Sequence, residues 1–382
     1  MTRTYNVELE VLTPVIINNG ESYDFGEILP TEEKVIINNR DTNLPLPELY
    51  KFYANNKVNI FGEMDSEDIK SFVNRAIPAI ANRDNSSLKT LRQEIALKAG
   101  SKNKVPIRIL AEAKKDLLNK PLQKVDKVAQ APIDMSIYIP GSSIKGALRT
   151  GFLEQLRSTK NIDPWKYVQG YNGYGKDQNL PKQKKINDAK NFEMQVMTGG
   201  YKFNVIEDPF KYIKVSDFLF SKEDAIIYIS KVGNDGKMPI YSAMTNSYVY
   251  SGKPVIAKGT ISVDDRFYSA IKGLNTCSDL KDILRNVKKF YCNNLESIRC
   301  GVSPLMNYII QQKYLKQKDT SDAFIRLGHY VGIKDYTFKV KQVEPPKKHP
   351  DVEINMKGGR VIFLEHGIVP GMCMLKIKEE KI

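Results

Sequence analysis

The chain has 382 residues, enough for two domains that each bury a core of their own, and its 41% hydrophobic and 27% charged content is that of a globular, soluble protein. Its 58 Lys plus Arg against 44 Asp plus Glu leave a net charge of +14 and a pI near 9.3, which predicts a polyanionic partner, either nucleic acid or an anionic membrane. No basic amphipathic anchor, lipidation motif or apolar run of roughly 18 residues is present, so the membrane falls away, nucleic acid leads, and a cytoplasmic protein is expected. Cys277, Cys292, Cys300 and Cys373 form no C-x-x-C pair and no zinc spacing. Reduced thiols, no bound metal and no cofactor are the expectation.

At the start of the chain Tyr5, Val7, Leu9 and Val11 alternate with polar residues, which reads as a strand and not as a signal-peptide core. Asn18-Asn19-Gly20 is a turn, because Asn and Gly tolerate positive φ. Phe25 to Ile28 and Lys34 to Ile37 continue the sheet as a hairpin or meander. From Pro47 to about Leu118 the apolar period becomes helical (Leu49, Phe52 and Tyr53; Ile69, Phe72, Val73 and Ile77; Leu88, Leu91, Ile95 and Leu97). This block reads as an insertion on a strand-rich scaffold. Strand signals return from Val125 to Ile139 and stop at Pro140-Gly141.

The next stretch enters a helical pattern in which Ile144, Leu148 and Phe152 stack four apart, flanked by Ala147 and Leu156. Ser142 or Ser143 is a natural N-cap. The backbone amides from Gly141 to Ser143, with Gly146 and the cations Lys145 and Arg149 one turn apart, would together hold a phosphate at a helix N-terminus. Gly141 and Gly146 have the G-x-x-x-x-G spacing of a P-loop, but Ala147-Leu148 stand where its Lys and Ser or Thr are needed, which excludes an NTPase. An ordinary capped helix uses the same residue types, so both readings stand on pattern alone.

Residues 158–200 are expected to be a basic, flexible segment. Lys166, Lys176, Lys182, Lys184, Lys185 and Lys190 interleave there with Trp165, Tyr167, Tyr171, Tyr174 and Phe192, and Gly170, Gly173 and Gly175 loosen the chain. That mixture suits phosphate neutralisation with base stacking, or is a solvated Lys-rich loop. A second strand-rich block begins at Tyr201. Ile206 to Phe218 leads into a strand, Ala225 to Val232 and Met238 to Tyr250 form a hairpin across Gly233-Asn-Asp-Gly236, and Pro254 to Val263 is a further strand. Leu280, Ile283, Leu284, Val287 and Tyr291 mark a helix, Ile298 to Leu315 another, and strands close the chain at Arg360 to Glu365 and Met372 to Ile377. The reading is an α+β chain of two ferredoxin-like (RRM-like) domains with antiparallel sheets: residues 1–157 with the helical insertion about 47–118, then the segment 158–200, then 201–382.

Five segments carry a resemblance. Ile139-Pro-Gly-Ser-Ser-Ile-Lys-Gly-Ala-Leu-Arg149 resembles the glycine-rich loop of the RAMP superfamily of CRISPR-associated proteins, and Leu12-Thr-Pro-Val-Ile-Ile-Asn-Asn-Gly-Glu21 its N-terminal L-T-P-V segment. Asp208-Pro-Phe-Lys-Tyr-Ile-Lys-Val-Ser-Asp217 is similar to a segment of the Csm-type subunit that caps the crRNA 3′ end in type III-A effector complexes. Arg326-Leu-Gly328 and Pro370-Gly-Met372 fall where that subunit has matching segments. Ile16 and Asn18 depart from the family's usual His and Gly, and His329 from an aromatic. The resemblance implies paired ferredoxin-like domains that bind crRNA within a Csm complex of backbone and small subunits. It implies no nuclease activity, and a part in 3′-end maturation through recruited host 3′-trimming nucleases. Its alternatives are a crRNA-processing endoribonuclease and another RAMP subunit, a backbone or 5′-handle binder.

RNA cleavage needs a group titrating near neutrality, and only His329, His349 and His366 exist. His349 lies in a Lys-rich loop and His366 at a strand end, so a structural role is expected for each. Asp264-Asp265 is the only adjacent Asp pair and reads as a turn, and nothing around Asp24 marks it as a metal or cleavage residue. The expected RNA-binding residues are Gly141, Ser142, Ser143, Lys145, Gly146 and Arg149, with Lys211 and Lys214 as a second group beside Phe210 and Tyr212.

Overall fold

A computed structural model describes residues 1–23, 28–30, 35–37, 74–76, 78–79, 81–98, 106–120, 123–131, 136–162, 182–200, 204–233, 240–272, 279–298, 322–329, 363–364 and 368–381. In chain order these carry β1 (Thr2–Val11), β2 (Asn18–Tyr23), β3 (Ile28–Pro30), β4 (Val35–Ile37), α1 (Asn85–Lys98), β5 (Ile107–Ile109), α2 (Ala111–Asn119), β6 (Val125–Val128) and β7 (Tyr138–Ile139). There follow α3 (Gly141–Thr159), α4 (Lys182–Thr198), a 3-10 turn (Pro209–Tyr212), β8 (Ile213–Val215), β9 (Phe218–Phe220), β10 (Ile227–Gly233) and β11 (Ile240–Thr245). The last are α5 (Tyr248–Ser251), β12 (Ile256–Asp264), α6 (Arg266–Ala270), α7 (Leu280–Ile298), β13 (Ala323–Arg326), β14 (Phe363–Leu364) and β15 (Met372–Lys381).

The chain forms two compact units. One comprises Met1–Ile17, Tyr138–Asp224 and Asn246–Ile382; the other Asn18–Ile137 and Ala225–Thr245. In the first, the sheet order is β13-β15-β1-β12-β9-β7, with β8 also on β12. β1 is central because its alternation gives one wholly apolar face, with Tyr5, Val7, Leu9 and Val11 all buried. It runs antiparallel to β12, with Leu9 opposite Ala257, and to β15, with Leu9 opposite Leu375. In this unit α3 and α7 alternate in sequence with strands of an antiparallel sheet, an α+β arrangement.

α3 and α7 pack against each other. A Cβ at Gly151 would lie 3.0 Å from the Val287 Cα, so the glycine admits the close approach. The Tyr291 hydroxyl donates to the Ala147 carbonyl at 3.2 Å. Ile144, Leu148 and Phe152 on α3 and Leu280, Ile283, Leu284, Val287 and Tyr291 on α7 are buried, as their spacing predicts.

In the second unit the strands run in the order β10-β11-β6-β2, with β5 beside β10. The β10–β11 and β2–β6 pairs are antiparallel, but β5–β10 and β6–β11 are parallel. α2 packs on this sheet: its Ala113 and Leu117 are buried, and the buried Tyr241 hydroxyl bonds Asp116. The expected division at residues 157 and 201, with an antiparallel sheet in each part, is therefore not the division of these units. β1 pairs with strands beyond residue 255, and the parallel pairs join strands more than a hundred residues apart, which local periodicity does not register. Within the expected insertion about 47–118, residues 47–73 lie outside the described residues, and α1, β5 and α2 occupy much of the rest.

Candidate nucleic-acid interface

The glycine-rich corner is built by backbone geometry. β7 ends at Ile139, and Pro140, with φ −57° and ψ 132°, is the N-cap of α3 without a side-chain hydrogen bond. The predicted N-caps Ser142 and Ser143 instead lie inside the first turn, where the Ser143 amide donates to the Pro140 carbonyl at 2.9 Å. Proline's fixed φ turns the chain in one residue, so the helix begins before either serine. The Gly141 amide donates to Asp217 Oδ1 at 2.8 Å. The anion at this helix start is thus a carboxylate of the same chain. A side chain at position 141 has no room, since a Cβ would stand 2.3 Å from the Val215 carbonyl oxygen and 2.5 Å from that of Ser216. At Gly146 a Cβ would meet nothing within 4 Å.

Arg149 is held from two sides. Glu193 accepts from its Nε at 3.0 Å and Nη2 at 2.9 Å, and both Asp208 oxygens lie 2.9 Å from its Nη1. Burial alone would lower the guanidinium's pKa, but the Glu193 and Asp208 charges outweigh it and hold it above its ordinary value. Asp208 also caps the 3-10 turn through the Phe210 amide at 2.9 Å. Phe210 lies beneath the guanidinium, 5.0 Å from its carbon, and meets Phe152 and Phe267 edge-on. The segment Asp208 to Asp217 is therefore a clasp on α3: its first carboxylate holds Arg149, its last holds Gly141, and Phe210 fills the core between.

The other expected residues face outward around this clasp. Ser142 and Gly146 are exposed, and Ser143 and Lys145 are half-buried. Burial lowers the Lys145 pKa, the Asp208 charge opposes that, and Arg149 adds to it. Lys211 is exposed, donates to the Ile206 carbonyl, and stands 4.7 Å from the centre of the Tyr212 ring. Lys214 is exposed on β8 opposite Ser262. Neither Lys145 nor Lys214 makes an ion pair among the described residues. Phe210 is core and Tyr212 half-buried, which separates two aromatics that the sequence treats alike.

The remaining motif segments form a second knot. The Leu12 amide donates to the Met372 carbonyl at 2.9 Å, the Met372 amide to Thr13 Oγ1 at 2.9 Å, and the Gly371 amide to the Pro14 carbonyl at 2.8 Å. The buried Arg326 donates to the Pro370 carbonyl at 3.0 Å, and Gly328, at φ +88°, approaches Ile16 so closely that a Cβ would sit 2.4 Å from its carbonyl oxygen. The His329 amide donates to that carbonyl at 2.7 Å.

Asp264 and Asp265 bind cations of their own chain: Asp264 pairs with Arg266 at 2.8 Å, and Asp265 with the N-terminal amine at 3.0 Å and Arg3 at 3.5 Å. No group of His, Cys, Asp and Glu able to hold a metal occurs among the described residues, and no helix among them is long and apolar enough to cross a membrane. Asp24, His349, His366 and the basic–aromatic residues from Trp165 to Lys176 lie outside the described residues, as do the side chains of Lys182, Lys184 and Lys185. Sequence reasoning missed Asp208, Asp217 and Glu193 as anchors. The two aspartates stood at the ends of a motif already singled out, but their partners lie 59 and 76 residues away.

The sequence pattern of the RAMP superfamily matches residues 8–329, a span that contains the clasp and the first two segments of the second knot. The chain belongs to the RAMP superfamily. Within it, the chain is similar to the Csm5 protein of Methanocaldococcus jannaschii, with 24% identity over 299 residues that cover 76% of this chain and 61% of that relative. The chain thus spans less than two thirds of that protein's length. Its fold is similar to a chain of a Csm–crRNA–target RNA ternary complex from a type III-A CRISPR-Cas system (TM-score 0.59, 16% identity, 98% of this chain and 100% of that one). It is also similar to T. onnurineus Csm5 (TM-score 0.56, 15% identity, 96% and 99%).

Proposed function

We propose that this protein is a non-catalytic crRNA-binding subunit of a type III-A Csm complex, working in the cytoplasm. It caps the 3′ end of the crRNA and supports its maturation by recruited nucleases. The observation that carries the reading is the exposed basic surface around the clasped corner. Lys211 and Lys214 are exposed and Lys145 half-buried, with the exposed Ser142 and Gly146 and the half-buried Ser143 beside them. Gly141 and Arg149 act as positioning residues, because their donors are committed to Asp217, Glu193 and Asp208. Phosphates contacted by lysines release counterions, so affinity falls with salt and is indifferent to base sequence.

The test is a salt titration of crRNA binding by the full chain. Lys145→Ala with Lys214→Ala is expected to weaken binding to unrelated sequences alike and to flatten the salt dependence by about two phosphate contacts. Loss on one sequence only would mean base readout and overturn the phosphate reading. Incubation with repeat RNA, with and without EDTA, is expected to leave it intact. Site-specific cutting abolished by His329→Ala would replace this reading with the processing endoribonuclease. Copurification from the native host is expected to bring down crRNA with backbone and small Csm subunits.

A further inference from the structure

Beside the clasp lies a second planar group that the phosphate contacts do not use. Arg266 follows β12 and is 69% exposed, yet its guanidinium is fixed. Asp264 accepts from its Nε at 2.8 Å through Oδ1 and from its Nη2 at 2.8 Å through Oδ2, a two-point fork that sets the plane. Asp264 is itself pinned by the Arg266 amide at 2.9 Å and the Thr2 hydroxyl at 3.0 Å. Under the guanidinium lies the Tyr212 ring, its centre 4.8 Å from the Arg266 carbon. An exposed ion pair contributes little to stability. What this one does is hold a flat cation still while most of its side chain stays in solvent.

The position matters as much as the shape. Tyr212 adjoins Lys211 in the 3-10 turn, and β8 pairs Ile213 with Val263 and Lys214 with Ser262, so Arg266 sits at the end of the strand pair that carries Lys214 and beside the turn that carries Lys211. A chain whose phosphates lie on Lys211 and Lys214 brings its bases within reach of that plane. Unpaired bases of RNA stack on arginine planes and aromatic rings, with little dependence on which base is present.

We propose that Arg266, locked by Asp264 and backed by Tyr212, is a preformed stacking platform for one unpaired nucleobase of bound single-stranded RNA. This rests on the RNA-binding reading above and adds a base-contacting site to its phosphate contacts. The platform is sequence-tolerant, because two of the three guanidinium nitrogens already serve Asp264.

The experiment uses the full chain and single-stranded RNA carrying 2-aminopurine at successive positions, comparing wild type with Arg266→Lys, Arg266→Ala and Lys145→Ala. Lysine keeps the charge and loses the plane. Stacking therefore requires Arg266→Lys to lose roughly tenfold in affinity, about as much as Arg266→Ala, with 2-aminopurine quenching lost at one position and thermal unfolding unchanged. Lys145→Ala should weaken binding without removing that quenching. If Arg266→Lys binds and quenches like wild type, only charge acts there and the platform is refuted. Wild-type behaviour of both Arg266 variants refutes any contact. If wild type binds no RNA, the RNA-binding reading falls first and the platform with it.

Discussion

Gly141 and Gly146 sit five residues apart in one helix and meet opposite surroundings. Gly141→Ala forces a methyl into the 215–216 backbone and is expected to cost about 1–3 kcal/mol, read as a lower urea midpoint. Gly146→Ala enters open space in the helix and is expected to stabilise by up to about 1 kcal/mol. If it also weakens RNA binding, the bare backbone there is a contact surface. Arg149→Ala leaves Glu193 and Asp208 facing each other with their shared cation gone, at a cost of about 3 kcal/mol, so its loss of RNA binding would report on folding. Lys145→Ala is the cleaner probe. Burial pushes the Cys373 thiol far above its ordinary value, so alkylation at neutral pH should miss this residue in the native protein and reach it after unfolding, as peptide mass spectrometry would show.

The elements were legible where one period decides them. The α3 stripe and the β1 alternation predict the buried faces residue by residue, because a helix or strand facing a core has no other way to hide apolar side chains. The start of α3 was not legible. Its cap is a proline with no side-chain acceptor, and the missing acceptor arrives from Asp217, 76 residues away. Phe210 and Tyr212 were equally opaque, since their fates are set by Arg149 and Phe152 on one side and Arg266 on the other. On the second unit, the Tyr241 hydroxyl is the leading cause holding the Asp116 pKa below its ordinary 3.8, with Lys231 adding to it. A depressed carboxyl stabilises the fold above its unfolded value and loses that contribution as pH falls through the folded one. Tyr241→Phe should therefore cost about 1 kcal/mol at neutral pH, and the gap to wild type should close below pH 3.8.

At the scale of the molecule, motif segments far apart in sequence are joined by hydrogen bonds into the clasp and the second knot. β1 lies between β12 and β15, so this strand depends for its backbone partners on strands that begin only at residues 256 and 372. A ribosome delivering this chain holds the opening strand unpaired on both edges until residue 256 has emerged, and on one edge until residue 372 has. During that interval the strand is an open template for its own copies. Removing Met372–Lys381 makes the interval permanent. Such a truncated chain should collect in inclusion bodies, and supplying the missing decapeptide in trans should return part of it to the supernatant.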